Sequence, residues 1–212
     1  MNRFFFFSVL FIFSPILFGQ ENEAPFFRED QLFFGVGYTI AQQNDPAFSQ
    51  DGFSYQLQLG FLRDIPLDKK GHWAVAPGIG LQHQKLSSNL NLQSESSGLL
   101  SKLLADKSQR LQYSSVILPF ELRWRNATPT QFSFWRIHLG AKLAYPISAS
   151  PSTLNAADLL RPWAPSYYVA LGYNTWNLFF EYQAQSLFRA SSYSIEVPKT
   201  HLINIGLRFY FL

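Results

Sequence analysis

Residues 32–41, LFFGVGYTIA, decide the fold class. Their even-numbered positions are all large and apolar, and from residue 35 onward the odd-numbered positions are glycine, threonine or alanine. Alternation at period two indicates a β-strand with one apolar face and one polar or small face. The same alternation recurs in seven further segments, at residues 53–61, 73–82, 115–124, 135–145, 169–174, 178–185 and 202–211. The sequence therefore predicts an all-β chain of eight strands.

The composition of the second face separates two kinds of all-β protein. In a soluble antiparallel sheet that face meets bulk water and carries strongly polar side chains. Here it consists mainly of Gly, Ala, Ser and Gln, which suit the narrow interior of an eight-stranded barrel. Tyr and Trp stand at the ends of the apolar face, as in the aromatic girdles of membrane barrels. We therefore predict an all-β, eight-stranded antiparallel up-and-down transmembrane β-barrel.

The overall composition excludes several other classes of protein. Charged residues make up 15% and aromatic residues 17%, yet the mean hydropathy is −0.04. This combination argues against a disordered chain and against a bundle of membrane helices, each of which needs about 20 nearly uninterrupted apolar residues. The absence of cysteine excludes disulfides, thiolate metal sites and a cysteine nucleophile. The net charge of +3 is too small to indicate a nucleic-acid partner.

The connections between the predicted strands alternate in length. Long ones occupy residues 42–51, 86–110, 146–165 and 189–199, and short ones occupy 64–71, 126–133 and the vicinity of Thr175. Outer-membrane barrels have short periplasmic turns and longer external loops. We therefore predict a protein of the outer membrane of a Gram-negative bacterium, with a periplasmic N-terminus and extracellular long loops.

The N-terminus is predicted to direct export. Residues 1–19, in which Arg3 precedes a short apolar run, are typical of a cleaved signal peptide. The alternative is a membrane anchor, for which the run is short. Residues 20–212 are then predicted to form a single barrel domain.

Five short motifs carry a resemblance to a known family: REDQ at 28–31, GFLRDIP at 60–66, PFELRWR at 119–125, FWRI at 134–137 and GYNTWN at 172–177. Through these motifs the chain resembles the PorT-like outer-membrane β-barrel proteins of Bacteroidota, particularly flavobacterial ones. The name-giving member of that family is a component of the type IX secretion system. The resemblance covers most of residues 20–212 and implies a small outer-membrane barrel that is an accessory of a larger machine. It implies no catalytic residues.

Ionisable residues on the small-residue face are predicted to lie inside the barrel. They are Glu121, Arg123, Arg136, His138, Lys142, Glu181 and Arg208. A charge inside a narrow barrel is costly unless it is paired, and Glu121 and Arg136 share a parity on adjacent strands, so we expect them to pair. We interpret the set as a structural network that fills the interior and fixes the strand register. The alternative is a polar pathway for protons or a small solute, although eight strands usually leave no open channel.

Two of the long connections carry apolar residues that could contact a partner. In one of them the spacing of Leu99, Leu100, Leu103 and Leu104 suggests a short helix or a lid; the interpretation we favour is a loop that packs its own leucines against the rim. The other contains Leu159, Leu160 and Trp163, which could contact lipid headgroups or another protein.

The sequence contains no sign of a pore or of a catalytic set, and this limits the functions to be considered. We therefore predict a non-enzymatic accessory subunit of an outer-membrane protein secretion or barrel-assembly complex, with outer-membrane lipids and other outer-membrane or periplasmic proteins as partners. A stand-alone barrel whose external loops bind a lipid, peptide or glycan is the first alternative. A lipid-modifying enzyme is the second, because His83 and His201 share the lipid-facing parity near a rim that also carries serines such as Ser87. Neither a metal-ligand spacing nor a phosphate-binding glycine loop is present, and no cofactor is predicted.

Overall fold

The computed structural model describes residues 30–95, 98–103, 109–126, 135–150, 160–173, 175–189 and 199–211. Its strands are β1 (Gln31–Gln43), β2 (Tyr55–Leu62), β3 (Ile65–Pro66), β4 (Trp73–Ser88), β5 (Leu90–Glu95), β6 (Gly98–Leu103), β7 (Gln109–Arg125), β8 (Trp135–Ser150), β9 (Ala164–Tyr173), β10 (Trp176–Gln183) and β11 (Thr200–Phe211). Within these ranges no helix is both long enough and apolar enough to cross a membrane. The predicted signal peptide, residues 1–19, lies outside the described residues.

Eight of the strands form one closed antiparallel barrel. Their order is β1-β2-β4-β7-β8-β9-β10-β11, and β11 pairs with β1 to close the ring. The closing register runs from Leu32 opposite Phe211 to Gln43 opposite Thr200. β3 continues the line of β2 along β4, while β5 and β6 pair only with each other as a hairpin between β4 and β7. The predicted eight-stranded antiparallel barrel is confirmed.

The connections of unequal length lie at opposite ends of the barrel. Residues 44–54, 89–108, 151–163 and 184–199 join strands at one end, named here the long-connection end. Residues 67–72, 126–134 and 174–175 join strands at the other, the short-connection end. The strands exceed the predicted segments mainly toward the long connections, since β4 continues to Ser88 and β7 begins at Gln109.

The two faces of the strands have opposite surroundings. In β1, Leu32 and Tyr38 are exposed on the outer wall, whereas Phe33 is buried inside. Phe33 is a large residue on the small-residue face, and glycines on neighbouring strands accommodate its ring. A Cβ added to Gly60 would lie 2.6 Å from Phe33 Cε1, and one added to Gly80 would lie 3.2 Å from Phe33 Cζ. The backbone also approaches closely, since the added Cβ would lie 2.5 Å from the Ile79 carbonyl oxygen at Gly60 and 2.6 Å from the Leu59 carbonyl oxygen at Gly80. Both positions therefore need glycine.

The short helix suggested by the leucine spacing does not form in the described residues. Leu99, Leu100 and Leu103 lie on β6, and Leu103 is opposite Leu90 of β5. Pairing in a hairpin satisfies backbone donors and acceptors of both segments, and a spacing of this kind over so few residues does not distinguish a helix from a strand. Leu104 lies outside the described residues.

Candidate functional site

A polar network occupies the barrel interior, and at the short-connection end it begins with Asp64. This carboxylate accepts hydrogen bonds from Arg123 Nη1 (3.1 Å) and Arg125 Nη2 (2.8 Å). Arg125 Nε also donates to the carbonyl oxygen of Gly71 (2.7 Å), which ties the turn at 67–72 to β7. All three ionic side chains are buried, and charge-assisted hydrogen bonds of this kind are stronger than neutral ones.

Glu121 is the central acceptor of the network and is fully buried. Its Oε2 accepts from Arg123 Nε (2.8 Å), and its Oε1 accepts from Arg208 Nη1 (3.2 Å). The hydroxyls of Tyr168 and Tyr210 also donate to Oε1, at 2.8 and 2.9 Å. The Arg208 guanidinium lies 4.4 Å from the centroid of the Tyr168 ring, within the range of a cation–π contact. One carboxylate therefore compensates two guanidinium groups that would be costly to bury alone.

Arg208 links Glu121 to the second interior carboxylate of the strands, Glu181. Arg208 Nη2 donates to Gln58 Oε1 (2.6 Å), and Gln58 Nε2 donates to Glu181 Oε2 (3.1 Å). The same Glu181 oxygen lies 2.7 Å from Lys142 Nζ. The network thus alternates acids and bases across strands that are distant in sequence, and each buried charge in it has an opposite charge or an amide as partner.

Neutral groups extend the network toward the long-connection end. Asn204 Nδ2 donates to Glu181 Oε1 (3.1 Å), and Asn204 Oδ1 accepts from Thr39 Oγ1 (2.7 Å). Gln84 Nε2 donates to the same threonine hydroxyl. Hydroxyls and amides therefore replace ions as the interior approaches the long connections.

A cluster of buried side chains, the apolar cap, closes the interior at the long-connection end. Its members are Leu86, Leu90, Leu111, Tyr113, Leu160, Leu187, Phe188 and Leu202. Two long connections meet there, because Leu160 forms a β-bridge with Phe188 and the amide of Arg161 donates to the carbonyl of Leu187 (2.9 Å). A cavity of about 20 Å³ beside the cap has room for about one water molecule. The described residues thus fill the interior and leave no channel among themselves.

The interior residues named from sequence all lie inside the barrel and are buried: Glu121, Arg123, Arg136, His138, Lys142, Glu181 and Arg208. His138 Nδ1 lies 3.2 Å from the Tyr210 hydroxyl and 3.5 Å from Glu121 Oε2. The structure thus brings the histidine beside the central carboxylate.

The β7–β8 register differs from the one needed for the expected Glu121–Arg136 pair. Glu121 is opposite Gly140, and Arg136 is opposite Arg125. Equal parity places two side chains on the same face but does not fix which residues are opposite each other. The guanidinium partners of Glu121 are therefore Arg123 and Arg208, described above.

Sequence reasoning missed four ionisable members of the network, Asp64, Arg125, Tyr168 and Tyr210. Asp64 lies after β2 has ended, where strand parity no longer applies. Arg125 and Tyr168 continue the inward parity of their strands, so extending each predicted segment would have found them. Tyr210 shares the inward parity of Arg208, but parity alone does not reveal its role, because a tyrosine can serve either in an aromatic girdle or in a buried hydrogen bond.

The outer wall is apolar and ends in tryptophans at the short-connection end. Trp73, Trp124, Trp135 and Trp176 lie there, at strand ends. Their neighbours are also aromatic, since Trp176 and Phe209 meet edge-on with ring centroids 4.7 Å apart. A shallow apolar groove of about 280 Å³ is lined by Trp73, Leu122, Trp124, Ile137 and Leu139. Aromatic rings at the edge of an apolar wall are typical of a membrane–water interface.

Within the described residues, the two outer-wall histidines contact groups other than the serine considered from sequence. His83 Nδ1 lies 3.1 Å from Ser114 Oγ, a serine that sequence reasoning had not singled out. His201 Nδ1 lies 3.2 Å from the carbonyl oxygen of Gln183. Ser87 is buried. The two carboxylates of the described barrel strands both face the interior, so on these strands no acid is available to orient either histidine as in a Ser–His–acid triad.

The apolar residues of the 151–163 connection differ in exposure. Leu160 is only 1% exposed and belongs to the apolar cap, where it contacts another long connection instead of facing outward. Trp163 is 53% exposed, has a φ of 55°, and lies with its ring centroid 5.1 Å from that of Tyr145. Leu159 lies outside the described residues.

Comparison with known proteins adds little to this description. No family model and no curated protein matches the chain. One similar solved structure is the solid-state NMR structure of outer membrane protein AlkL in DMPC lipid bilayers, at 10% sequence identity and a TM-score of 0.39, covering 91% of this chain and 95% of that one. A likeness at this level carries no argument, so the fold rests on the strand pairing of this chain.

Proposed function

We propose that the protein is a small non-enzymatic barrel of the outer membrane of a Gram-negative bacterium and an accessory subunit of an outer-membrane protein secretion or barrel-assembly complex. The filled interior is the observation that carries the proposal. Buried ion pairs around Glu121 and Glu181, and the apolar cap beyond them, leave no channel among the described residues. The surfaces left for a function are the outer wall and the connections.

The outer wall supports the membrane placement. Leu59, Ile79 and Leu139 are each more than half exposed on it, and contact of such side chains with water is unfavourable whereas contact with lipid is not. A closed barrel suits hydrocarbon because every strand edge is paired. By the usual arrangement of such barrels, the short connections are periplasmic and the long ones extracellular.

Two features of the wall and the sequence favour an accessory role. The motifs at 60–66 and 119–125 resemble PorT-like proteins, whose name-giving member belongs to a secretion system. The outer wall carries an apolar groove lined by residues that include Trp73 and Leu139. Grooves of this kind can accept apolar side chains of a neighbouring membrane protein.

Site-specific photo-crosslinking tests whether this wall docks. A photoreactive phenylalanine analogue at Leu139, in the groove on β8, is compared with the same analogue at Val36 on β1, which is four strands away in the ring of eight. The protein is tagged and kept in its own cells, and crosslinked products are identified by mass spectrometry. We expect a protein adduct from Leu139 and lipid adducts alone from Val36.

Purification from native membranes supplies the second readout. A stoichiometric set of secretion or assembly proteins, recovered after mild extraction, would support the subunit. A lone barrel at every detergent strength, together with lipid adducts alone from both positions, would refute it.

A stand-alone barrel that binds a lipid, peptide or glycan through its connections is the second candidate, and the exposed Trp163 favours it. Exposed tryptophans beside a second ring, here Tyr145, are common in binding surfaces. Trp163→Ala separates the two functions. Docking by the groove would be unaffected, whereas ligand binding by the connections would be weakened.

A further inference from the structure

The charged side chains that face outward from the eight barrel strands lie near one end of the barrel, and all of them are positive. The eight barrel strands contain two carboxylates, Glu121 and Glu181, and both are buried inside. Of the Lys and Arg residues in these strands, Lys85 and Arg110 alone face outward, and both lie near the long-connection end. Beside the apolar band, the outward faces of the described barrel strands therefore carry two cations and no carboxylate.

Lys85 belongs to a contiguous polar patch on this wall. Its Nζ lies 5.6 Å from the centroid of the Tyr55 ring, and that centroid is 6.2 Å from the His83 ring. His83 in turn contacts Ser114 across the β4–β7 pair, where the two residues are directly opposite. Together with Arg110, the residues Lys85, Tyr55, His83 and Ser114 form the wall patch.

The strand register places Arg110 beside Lys85. Lys85 is opposite Gln112, and Arg110 is opposite Ser87, so the two cations are diagonal neighbours on one face. Diagonal neighbours in an antiparallel pair are roughly 7–8 Å apart at the backbone, a separation that lets both side chains reach a single phosphate. The β7–β8 register also shifts between Ser114 and Ser115, and such irregularities redirect nearby side chains.

We propose that the wall patch binds the phosphorylated headgroup of an outer-leaflet glycolipid. Lys85 and Arg110 pair with a phosphate, and Tyr55 and His83 supply rings with polar edges at the depth where headgroups begin. Charge complementarity selects an anion, and the position near the long connections selects the outer leaflet. The inference rests on the outer-membrane placement proposed above.

Lipid binding by purified protein tests the inference. The chain is refolded from a lipid-free denatured state into detergent, and native mass spectrometry measures binding of diphosphorylated lipid A, dephosphorylated lipid A and phosphatidylglycerol. The test variant is Lys85→Gln with Arg110→Gln. The matched control is Lys69→Gln with Lys70→Gln, which removes two exposed cations from the short-connection end.

We expect the wild type to prefer diphosphorylated lipid A over both other lipids. The Lys85/Arg110 variant should lose affinity about 25-fold, because each cation near an anionic headgroup contributes roughly a factor of five; the Lys69/Lys70 variant should bind as the wild type does. Folding of every variant is verified by the mobility of unheated barrel on a denaturing gel.

Three results would overturn the inference: equal binding of dephosphorylated lipid A, equal binding of phosphatidylglycerol, or equal losses in both variants. Failure of the membrane placement would be visible separately, because cell fractionation would then recover the protein outside the outer membrane whatever lipid it binds in vitro.

Discussion

Replacing Glu121 with glutamine is expected to destabilise the barrel more than any exposed acid-to-amide change. The carboxylate accepts from Arg123 Nε at 2.8 Å and from Arg208 Nη1 at 3.2 Å. Glutamine keeps one carbonyl oxygen for the tyrosine hydroxyls but removes the charge that compensates two guanidinium groups. Arg123 retains the charged Asp64 as a partner at 3.1 Å, whereas Gln58, to which Arg208 donates at 2.6 Å, is neutral.

The expected loss follows from this uncompensated arginine. Removing one partner of a buried ion pair typically costs about 3–5 kcal/mol, because the remaining charge stays buried without an opposite charge. The free energy of unfolding is measured by urea titration of barrel refolded in detergent, with tryptophan fluorescence and gel mobility as independent signals. Asp45→Asn is the control, since it changes an exposed acid and should cost less than about 1 kcal/mol.

A double variant tests the cause of the loss. If the buried Arg208 charge dominates, Glu121→Gln combined with Arg208→Gln should be more stable than the sum of the single losses predicts, by about 0.5–3 kcal/mol. A single-variant loss below about 1 kcal/mol, or strictly additive losses, would refute the reasoning.

Three further predictions concern packing and the interior. Gly140→Ala should cost about 1–3 kcal/mol in urea titration, because its Cβ would lie 2.1 Å from Tyr168; Gly35→Ala, whose Cβ would meet its nearest atom at 3.5 Å, should be nearly neutral. Phe188→Ala should cost about 3–5 kcal/mol by opening the apolar cap, checked by the same titration. In planar lipid bilayers the wild type should show no stepwise ion conductance, and steady single-channel currents would contradict a filled interior.

The barrel class could be predicted from sequence because alternation is a local property. In residues 32–41 side chains alternate between the buried interior and the exposed outer wall. A membrane barrel has the same two environments, lipid outside and the interior inside, along every strand. The strand ends could not be predicted as well. β4 and β7 extend past the apolar band into polar sequence such as Gln84–Ser88, where hydrogen bonding between backbones continues without an apolar outer face.

The partners inside the barrel could not be predicted, because they depend on the closed geometry. Parity placed Glu121 inside, but its bond to Arg208 joins positions 87 residues apart in sequence. Strand order, register and tilt together decide which side chains meet across a barrel, and none of these is encoded in a single segment. The cap member Leu160 shows the same limit, since it meets Phe188 through a bridge between two different long connections.

The interior charges favour a single strand register, because a slipped register would separate them from their partners. A slip of one residue between neighbouring strands moves a whole set of side chains to the opposite face. On β7 such a slip would move Glu121, Arg123 and Arg125 into lipid and bring Leu122 and Trp124 inside. Near the membrane interface, where Arg123 and Arg125 flank Trp124, a lipid-facing arginine costs only roughly 0–1 kcal/mol, so the larger cost is that of the partners left inside as unpaired buried charges. A barrel with an apolar interior would incur no such penalty, because both of its faces would tolerate lipid. We infer that the network specifies one register, and this role does not depend on its net contribution to stability. The double variant measures how strongly the two central charges, Glu121 and Arg208, are coupled.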